Sequence, residues 1–164
     1  MLIIVTGVSG TGKTTIGSGI ATSLGLPFFD ADNFHPKENI EKMSQGFPLD
    51  DVDRMPWLEA LAQILIDSEK TGGGVLACSA LKESYREILQ VQENMHWIHL
   101  KGDRELIWRR MLARKNHYMK ATMLDSQFAT WEEPKYGLKL NIYQTPEEML
   151  VEALRYVGIK SNPK

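Results

Sequence analysis

Short apolar runs alternate along this chain with longer segments in which apolar residues recur every three or four positions. The short runs predict five strands, at residues 2–5, 27–30, 75–78, 96–100 and 138–142. The longer segments predict helices at residues 13–24, 36–46, 56–71, 82–90, 103–115 and 145–156, with a further helix beginning near 121. Because strands and helices alternate, we expect an α/β fold: a three-layer sandwich in which a five-stranded parallel sheet carries helices on both faces.

Composition narrows the class of protein. The chain has 164 residues, of which 43% are hydrophobic and 24% charged, and this predicts one domain over residues 1–164. Its net charge of −2 provides no general attraction to nucleic acid or to an anionic membrane, so neither is expected as a partner. Cys78 is the one cysteine and excludes an intramolecular disulfide, which favours a reducing, cytoplasmic location. No segment is typical of a signal peptide or a membrane span, and the sequence leaves open whether the protein forms a homodimer.

The strongest motif follows the first predicted strand. Residues 7–14 read GVSGTGKT and match the phosphate-binding loop GxxxxGK[ST]. In such a loop, backbone N–H groups surround the phosphates, the lysine bridges the β- and γ-phosphates, and the Ser/Thr hydroxyl coordinates Mg²⁺. The alternative is a glycine-rich turn without a ligand. We predict ATP as the nucleotide, Thr14 as a magnesium ligand, and phosphate contacts from Gly7, Ser9, Gly10, Thr11, Gly12, Lys13, Thr14 and Thr15.

Further polar residues follow other predicted strands, and the carboxyl ends of parallel strands share one edge of a sheet. Asp30 and Asp32 come at the end of the second strand, where an extended chain would direct both side chains the same way. Two carboxylates beside a nucleotide could hold a magnesium-bound water and accept a proton from an attacking hydroxyl. The alternative is a solvated acidic turn that caps the next helix.

Basic residues are concentrated between Lys101 and Lys120. Arg110 and Arg114 lie one helical turn apart, and a segment without a clear pattern follows them. We predict a small lid at about residues 114–124 that brings these two arginines over the phosphates and excludes water. The alternative is a solvated helix face with local ion pairs.

Several blocks extend beyond the phosphate loop, namely HPKENIEKM, DDVDRMPWL, CSALK and RKNHYMKATMLDSQF. Together with GVSGTGKTT they resemble the gluconate kinases along most of the chain. These are small P-loop kinases similar to shikimate and nucleoside monophosphate kinases. The resemblance implies ATP-dependent phosphorylation of D-gluconate at its 6-hydroxyl.

The resemblance also implies roles for individual residues. It matches Asp30 and Asp32 to the acidic pair of the family, although Ala31 stands where the family usually has glycine. Because Asp30 is nearer the strand, we predict that Asp30 lies toward the phosphates and the metal, and that Asp32 reaches the substrate and the catalytic proton; the sequence leaves open which of the two is the base. Lys13 and the lid arginines, Arg110 and Arg114, would take up the charge of direct in-line transfer. Around the sugar acid it places His35, Lys42, Arg54, Lys82, Arg86 and Gln127.

Two other functions remain as alternatives. A shikimate kinase would also use arginines to bind a carboxylate, so shikimate or another small metabolite is the nearest alternative substrate. A nucleotide-dependent switch without turnover belongs to a different class. Such a switch would need a large partner surface or an extra domain, for which a chain of this length has little room.

Overall fold

The computed structural model of the chain describes residues 1–114 and 121–158. Its five strands are β1 (Leu2–Thr6), β2 (Phe28–Asp30), β3 (Gly74–Ala77), β4 (Met95–Lys101) and β5 (Leu138–Asn141). Its α-helices are α1 (Lys13–Leu24), α2 (Lys37–Ser44), α3 (Asp51–Lys70), α4 (Glu83–Leu89), α5 (Arg104–Leu112), α6 (Ala121–Thr130) and α7 (Pro146–Tyr156). Residues 115–120, which form most of the predicted lid, lie outside the described residues.

All strand pairs are parallel, and the strand order is β2-β3-β1-β4-β5. β1 lies in the centre, and the side chains of Leu2–Val5 are fully buried. Helix α1 packs against α7, while α3 packs against α4. This arrangement confirms the predicted α/β sandwich, and it places the phosphate-loop motif at the carboxyl end of the central strand.

Two glycines permit the sharp turn from β1 into α1. Gly7 has a φ of 147°, and a Cβ there would lie 2.8 Å from the carbonyl oxygen of Leu100. Gly12 immediately precedes α1 with a left-handed φ of 96°. Because side chains are strained or excluded at both positions, the backbone of the loop can curve around a ligand.

Helix α3 begins five residues before the predicted start at Pro56. A capping box explains the difference: the Asp53 backbone N–H donates to Asp50 Oδ1 at 2.8 Å, and the Asp50 N–H donates to Asp53 Oδ2 at 2.9 Å. These two bonds satisfy backbone donors of the first turn, so the helix is established before the proline is reached. The early start matters for the site, because it brings Asp51 and Arg54 into the helix.

The segment after β2 also differs from its prediction. Residues Ala31–Phe34 form a 3-10 turn instead of continuing as extended chain. Asp30 Oδ1 accepts a hydrogen bond from the Asp32 backbone N–H at 3.0 Å, which stabilises the turn. The prediction from strand alternation was therefore wrong about the backbone here.

None of the helices within residues 1–114 and 121–158 has the length and apolar character that crossing a membrane requires.

Candidate active site

A cleft lies over the phosphate loop at the carboxyl edge of the sheet. It is lined by Ser9, Gly10, Gly12, Lys13, Thr14, Thr15, Asp30, Asp32 and Arg114. Most of the residues predicted to contact nucleotide phosphates therefore lie together. The exceptions are Gly7, which makes the turn, and Thr11, which is 1% exposed and donates its hydroxyl hydrogen to the Val8 carbonyl at 2.8 Å.

Lys13 lies in this cleft, where its ammonium donates to the Val8 carbonyl at 3.1 Å. Burial lowers the pKa of Lys13, and the nearby Asp32 carboxylate opposes that shift. A polyphosphate bound in the cleft would add negative charge beside Lys13 and stabilise its charged form.

Thr14 and Asp30 lie side by side, and the Thr14 hydroxyl donates to Asp30 Oδ2 at 2.8 Å. No cluster of three His, Cys, Asp or Glu side chains suited to a metal occurs among the described residues. Mg²⁺ in phosphoryl-transfer sites needs only one or two protein ligands, because waters and phosphate oxygens complete its octahedron. A hydroxyl and a carboxylate beside the phosphate loop fit that requirement.

A second cavity, of about 260 Å³, adjoins the phosphate cleft. Its walls come from the loop, from the turn after β2, and from α2, α3 and α6. The lining residues are Ser9, Lys13, Asp32, His35, Met43, Pro48, Leu49, Arg54, Trp57, Ser79, Met123, Ser126 and Gln127. Ser9, Lys13 and Asp32 line both spaces. A molecule in the cavity would therefore meet a phosphate in the cleft at these three residues.

Aromatic packing holds one wall of the cavity. The His35 ring stacks on Trp57 with ring centroids 4.2 Å apart, and the Trp57 indole N–H donates to the Ala31 carbonyl at 2.8 Å. Burial lowers the pKa of His35; the Asp32 carboxylate opposes this shift and the Arg54 cation reinforces it. His35 is thus favoured as a neutral imidazole, which can both donate to and accept from sugar hydroxyls.

Two predicted lysines do not line the cavity. The Lys42 ammonium donates to Asp53 Oδ2 at 2.6 Å and so joins α2 to the start of α3. The Lys82 ammonium donates to Asp51 Oδ1 at 2.9 Å. Both cations are therefore engaged by carboxylates of α3, and Arg54 is the arginine that reaches the cavity wall.

The structure does not bring Arg86 to the site. Its side chain is 1% exposed, and its guanidinium donates to the carbonyl oxygens of Ala80 and Glu132 at 2.8 Å each. Its Nε also donates to Glu83 Oε2 at 3.0 Å. The prediction for Arg86 is thus corrected: its donors join the carbonyl of Ala80, after β3, to that of Glu132, after α6, and support the fold.

The two predicted lid arginines also separate. The Arg110 guanidinium donates to the Ile142 carbonyl at 2.6 Å and lines neither the phosphate cleft nor the cavity, which corrects its predicted place in the site. Arg114, one turn later, lines the phosphate cleft.

Gln127 connects α6 to the phosphate loop. Its Oε1 accepts from the Ser9 backbone N–H at 2.7 Å, and its Nε2 donates to the Ser9 hydroxyl at 3.0 Å. The sequence predicted Gln127 as a substrate contact, and it does line the cavity. Its amide also fixes the position of Ser9, a contact that sequence spacing did not indicate across 118 residues of chain.

We expect Gln127→Ala to raise the KM for ATP about tenfold. The variant removes the hydrogen bond that the Ser9 backbone N–H donates to Gln127, and this bond helps to hold the loop in the geometry that binds phosphate. The measurement is steady-state kinetics with varied ATP. Gln144→Ala is the matched control, since the Gln144 amide donates to Glu152 on the exposed side of α7. An unchanged KM for ATP in the Gln127 variant would contradict the expectation.

Several lining residues escaped sequence reasoning. Ser79 follows β3 at the same edge of the sheet as Asp30; the sequence indicates this position just past a predicted strand, but no role was predicted for Ser79. Met123, Ser126 and Gln127 recur at helical spacing on one face of α6, although only Gln127 was predicted. Leu49 and Trp57 read as ordinary core residues, because apolar walls carry no chemical signature in a sequence.

Comparison with known proteins agrees with this geometry. The sequence profile of the shikimate kinase family matches residues 9–152. A probable gluconokinase of Xenopus tropicalis is 47% identical over 151 residues, covering 82% of this chain and 80% of that protein. The solved structure of a gluconokinase from Sinorhizobium meliloti 1021 superposes with a TM-score of 0.86 at 38% identity, covering 94% of this chain and 90% of that one.

A more distant structure shows how widely the fold is shared. Shikimate kinase from Aquifex aeolicus superposes with a TM-score of 0.67 over 96% of both chains, but at only 19% identity. That likeness concerns the fold alone. The far higher identity to gluconokinases, over four-fifths of the chain, decides between the two: the chain belongs to the gluconokinase family of small P-loop kinases.

Proposed function

We propose that the protein transfers the γ-phosphoryl group of ATP to the 6-hydroxyl of D-gluconate, giving 6-phospho-D-gluconate. The observation that carries the proposal is the meeting of the phosphate cleft with the second cavity at Lys13 and Asp32. An acceptor in the cavity can there present a hydroxyl directly to a phosphate on the loop.

The chemistry of the cavity suits a sugar acid. Gluconate carries one carboxylate and a row of hydroxyl groups. Arg54 supplies a planar guanidinium for the carboxylate, and His35, Ser79 and Ser126 offer polar atoms for hydroxyls. With the carboxylate at Arg54, the far end of the molecule would point to Asp32.

In this mechanism the chain's residues position the reactants and stabilise charge. Asp32 accepts or orients the proton of the 6-hydroxyl as its oxygen attacks in line. Lys13 and Arg114 stabilise the negative charge on the transferring group. Thr14 and Asp30 would hold Mg²⁺, which when bound neutralises phosphate charge.

The remaining expectations belong to the same proposal. We propose that residues 1–164 act as one domain in the cytoplasm, as a monomer or homodimer, without a nucleic-acid or membrane partner. A single cysteine cannot form an intramolecular disulfide, and this supports a reducing location. Cys78 is buried, and burial raises its pKa to about 12.

The test is ADP release measured with gluconate, shikimate, glycerate and AMP as acceptors. We expect the kcat/KM for gluconate to exceed that of the others on the order of a hundredfold or more, because a polar cavity discriminates against acceptors that leave its groups unpaired. Equal or greater turnover with shikimate or AMP would overturn the assignment. ATP binding without turnover of any acceptor would favour the nucleotide switch.

A further inference from the structure

A hydrogen-bonded network of four polar side chains lies behind the cavity wall. It runs from Lys82 to Asp51, from Asp51 to Tyr85, and from Tyr85 to Arg54. Arg54 lines the cavity, whereas the other three residues do not. This network joins the first turn of α3 to the start of α4.

Tyr85 is the residue that connects this network to Arg54. The Arg54 guanidinium donates from Nη1 to the Tyr85 hydroxyl oxygen at 3.1 Å, and its Cζ lies 5.4 Å from the centre of the Tyr85 ring. Tyr85 is 3% exposed, so its ring is held by the core. The Arg54 side chain, which has many rotamers, is thus held by a Tyr85 side chain that the core fixes in place.

The direction of the Tyr85 hydroxyl is set from the other side. A phenol has a single O–H hydrogen, and Tyr85 donates it to Asp51 Oδ1. Asp51 is held in turn by Lys82, whose ammonium donates to both carboxylate oxygens, at 2.9 and 3.1 Å. With its hydrogen on Asp51, the Tyr85 oxygen has only lone pairs to offer, and it accepts from Arg54.

The charges of the four residues in this network agree with this direction of the Tyr85 hydroxyl. Hydrogen bonds from Tyr85 and then Lys82 lower the pKa of Asp51, which keeps the carboxylate ionised. Burial, together with the bond to Asp51, raises the pKa of Tyr85 and keeps the phenol protonated. At neutral pH the order of cation, anion, phenol and cation is therefore maintained.

We propose that Tyr85 is the positioning residue for substrate recognition: held by Asp51 and Lys82, its hydroxyl fixes the Arg54 guanidinium at the cavity wall to receive the carboxylate of the sugar acid. The inference rests on the proposed function, since it requires an anionic acceptor in the cavity. It also gives Lys82 a role consistent with its position, acting through Asp51 and without substrate contact.

The physical gain is preorganisation. An arginine that must be ordered when the substrate arrives loses rotamer freedom, and that loss weakens binding. Because Tyr85 already holds one donor of the guanidinium, Arg54 is ordered before binding. Loss of the Tyr85 hydroxyl should therefore weaken affinity for the acceptor and leave ATP binding and the chemical step largely unchanged.

Tyr85→Phe tests this directly, because phenylalanine keeps the buried ring and removes only the hydroxyl. Asp51 retains Lys82 and solvent as partners, so the variant should fold. We expect the KM for gluconate to rise on the order of tenfold, with kcat and the KM for ATP within about twofold of wild type. Tyr136→Phe is the matched control, since the Tyr136 hydroxyl donates to Glu83 and lines neither cavity nor cleft.

A double-mutant cycle separates positioning from a general structural effect. If Tyr85 acts through Arg54, then Tyr85→Phe should cost kcat/KM for gluconate little in an Arg54→Ala background. Equal losses in both backgrounds, or an unchanged KM in the single variant, would overturn the inference. Should Tyr85→Phe melt well below wild type, Asp51→Ala replaces it: a KM for gluconate raised at least threefold supports the inference, and a smaller change overturns it.

This outcome is distinct from failure of the proposed function. If the wild-type protein does not phosphorylate gluconate, the proposed function fails at the first assay. If wild type is active and the Tyr85 variant behaves like Tyr136→Phe, only the positioning role fails.

Discussion

Lys13→Ala is expected to reduce kcat by about a hundredfold or more while the protein stays folded. Lys13 lines both the phosphate cleft and the second cavity, and in the proposed mechanism negative charge develops where the two spaces meet. Fixed positive charge in such a site contributes several kcal/mol to transition-state stabilisation, and alanine removes it entirely.

The measurement is kcat at saturating ATP and gluconate, together with a thermal melt of the variant. Lys70→Ala is the control, because Lys70 is an exposed residue at the end of α3 that pairs with Asp67. A folded Lys13→Ala protein that keeps near-normal kcat would remove Lys13 from the mechanism.

Asp32→Asn is expected to depress kcat with gluconate on the order of a hundredfold or more while nucleotide binding stays near normal. Asp32 lines both the phosphate cleft and the second cavity, so in the proposed mechanism its carboxylate can reach the attacking hydroxyl. A neutral amide of the same shape cannot accept the proton, and general-base catalysis contributes about a hundredfold or more.

Asp30→Asn provides the matched comparison. Asp30 lines only the phosphate cleft, where its Oδ2 accepts from the Thr14 hydroxyl at 2.8 Å. The loss should therefore appear mainly as weaker affinity for Mg²⁺ and ATP. Calorimetry of Mg-ATP binding beside steady-state kinetics measures both effects.

The pair of variants admits two contrary results. If Asp32→Asn binds nucleotide poorly while Asp30→Asn is impaired only in turnover, the two roles are reversed. If neither variant loses activity, the two carboxylates are only a solvated turn.

Local signals in the sequence determined the nucleotide half of the site. The motif at residues 7–14 predicted the loop, and the strand before it and the helix after it are where periodicity placed them. Short-range chemistry suffices here because the loop, Lys13 and Thr14 are neighbours along the chain. The capping box of Thr145 and Glu148 likewise marked the start of α7.

The family also followed from the sequence, through the resemblance of its blocks, and the resemblance placed Arg54 among the residues expected around the sugar acid. The resemblance could not tell which basic residues reach the cavity. Arg54, Lys82 and Arg86 all lie in blocks expected around the sugar acid, yet only Arg54 lines the cavity.

Tertiary packing decided the fate of the others. Arg86 is enclosed by carbonyls of Ala80 and Glu132, the latter 46 residues away along the chain. Lys82 pairs with Asp51 across 31 residues, and Gln127 meets Ser9 across 118. A guanidinium or ammonium satisfies whichever acceptors the fold brings within about 3 Å. Those acceptors come from distant elements, so composition and periodicity do not reveal which cation stays available for a ligand.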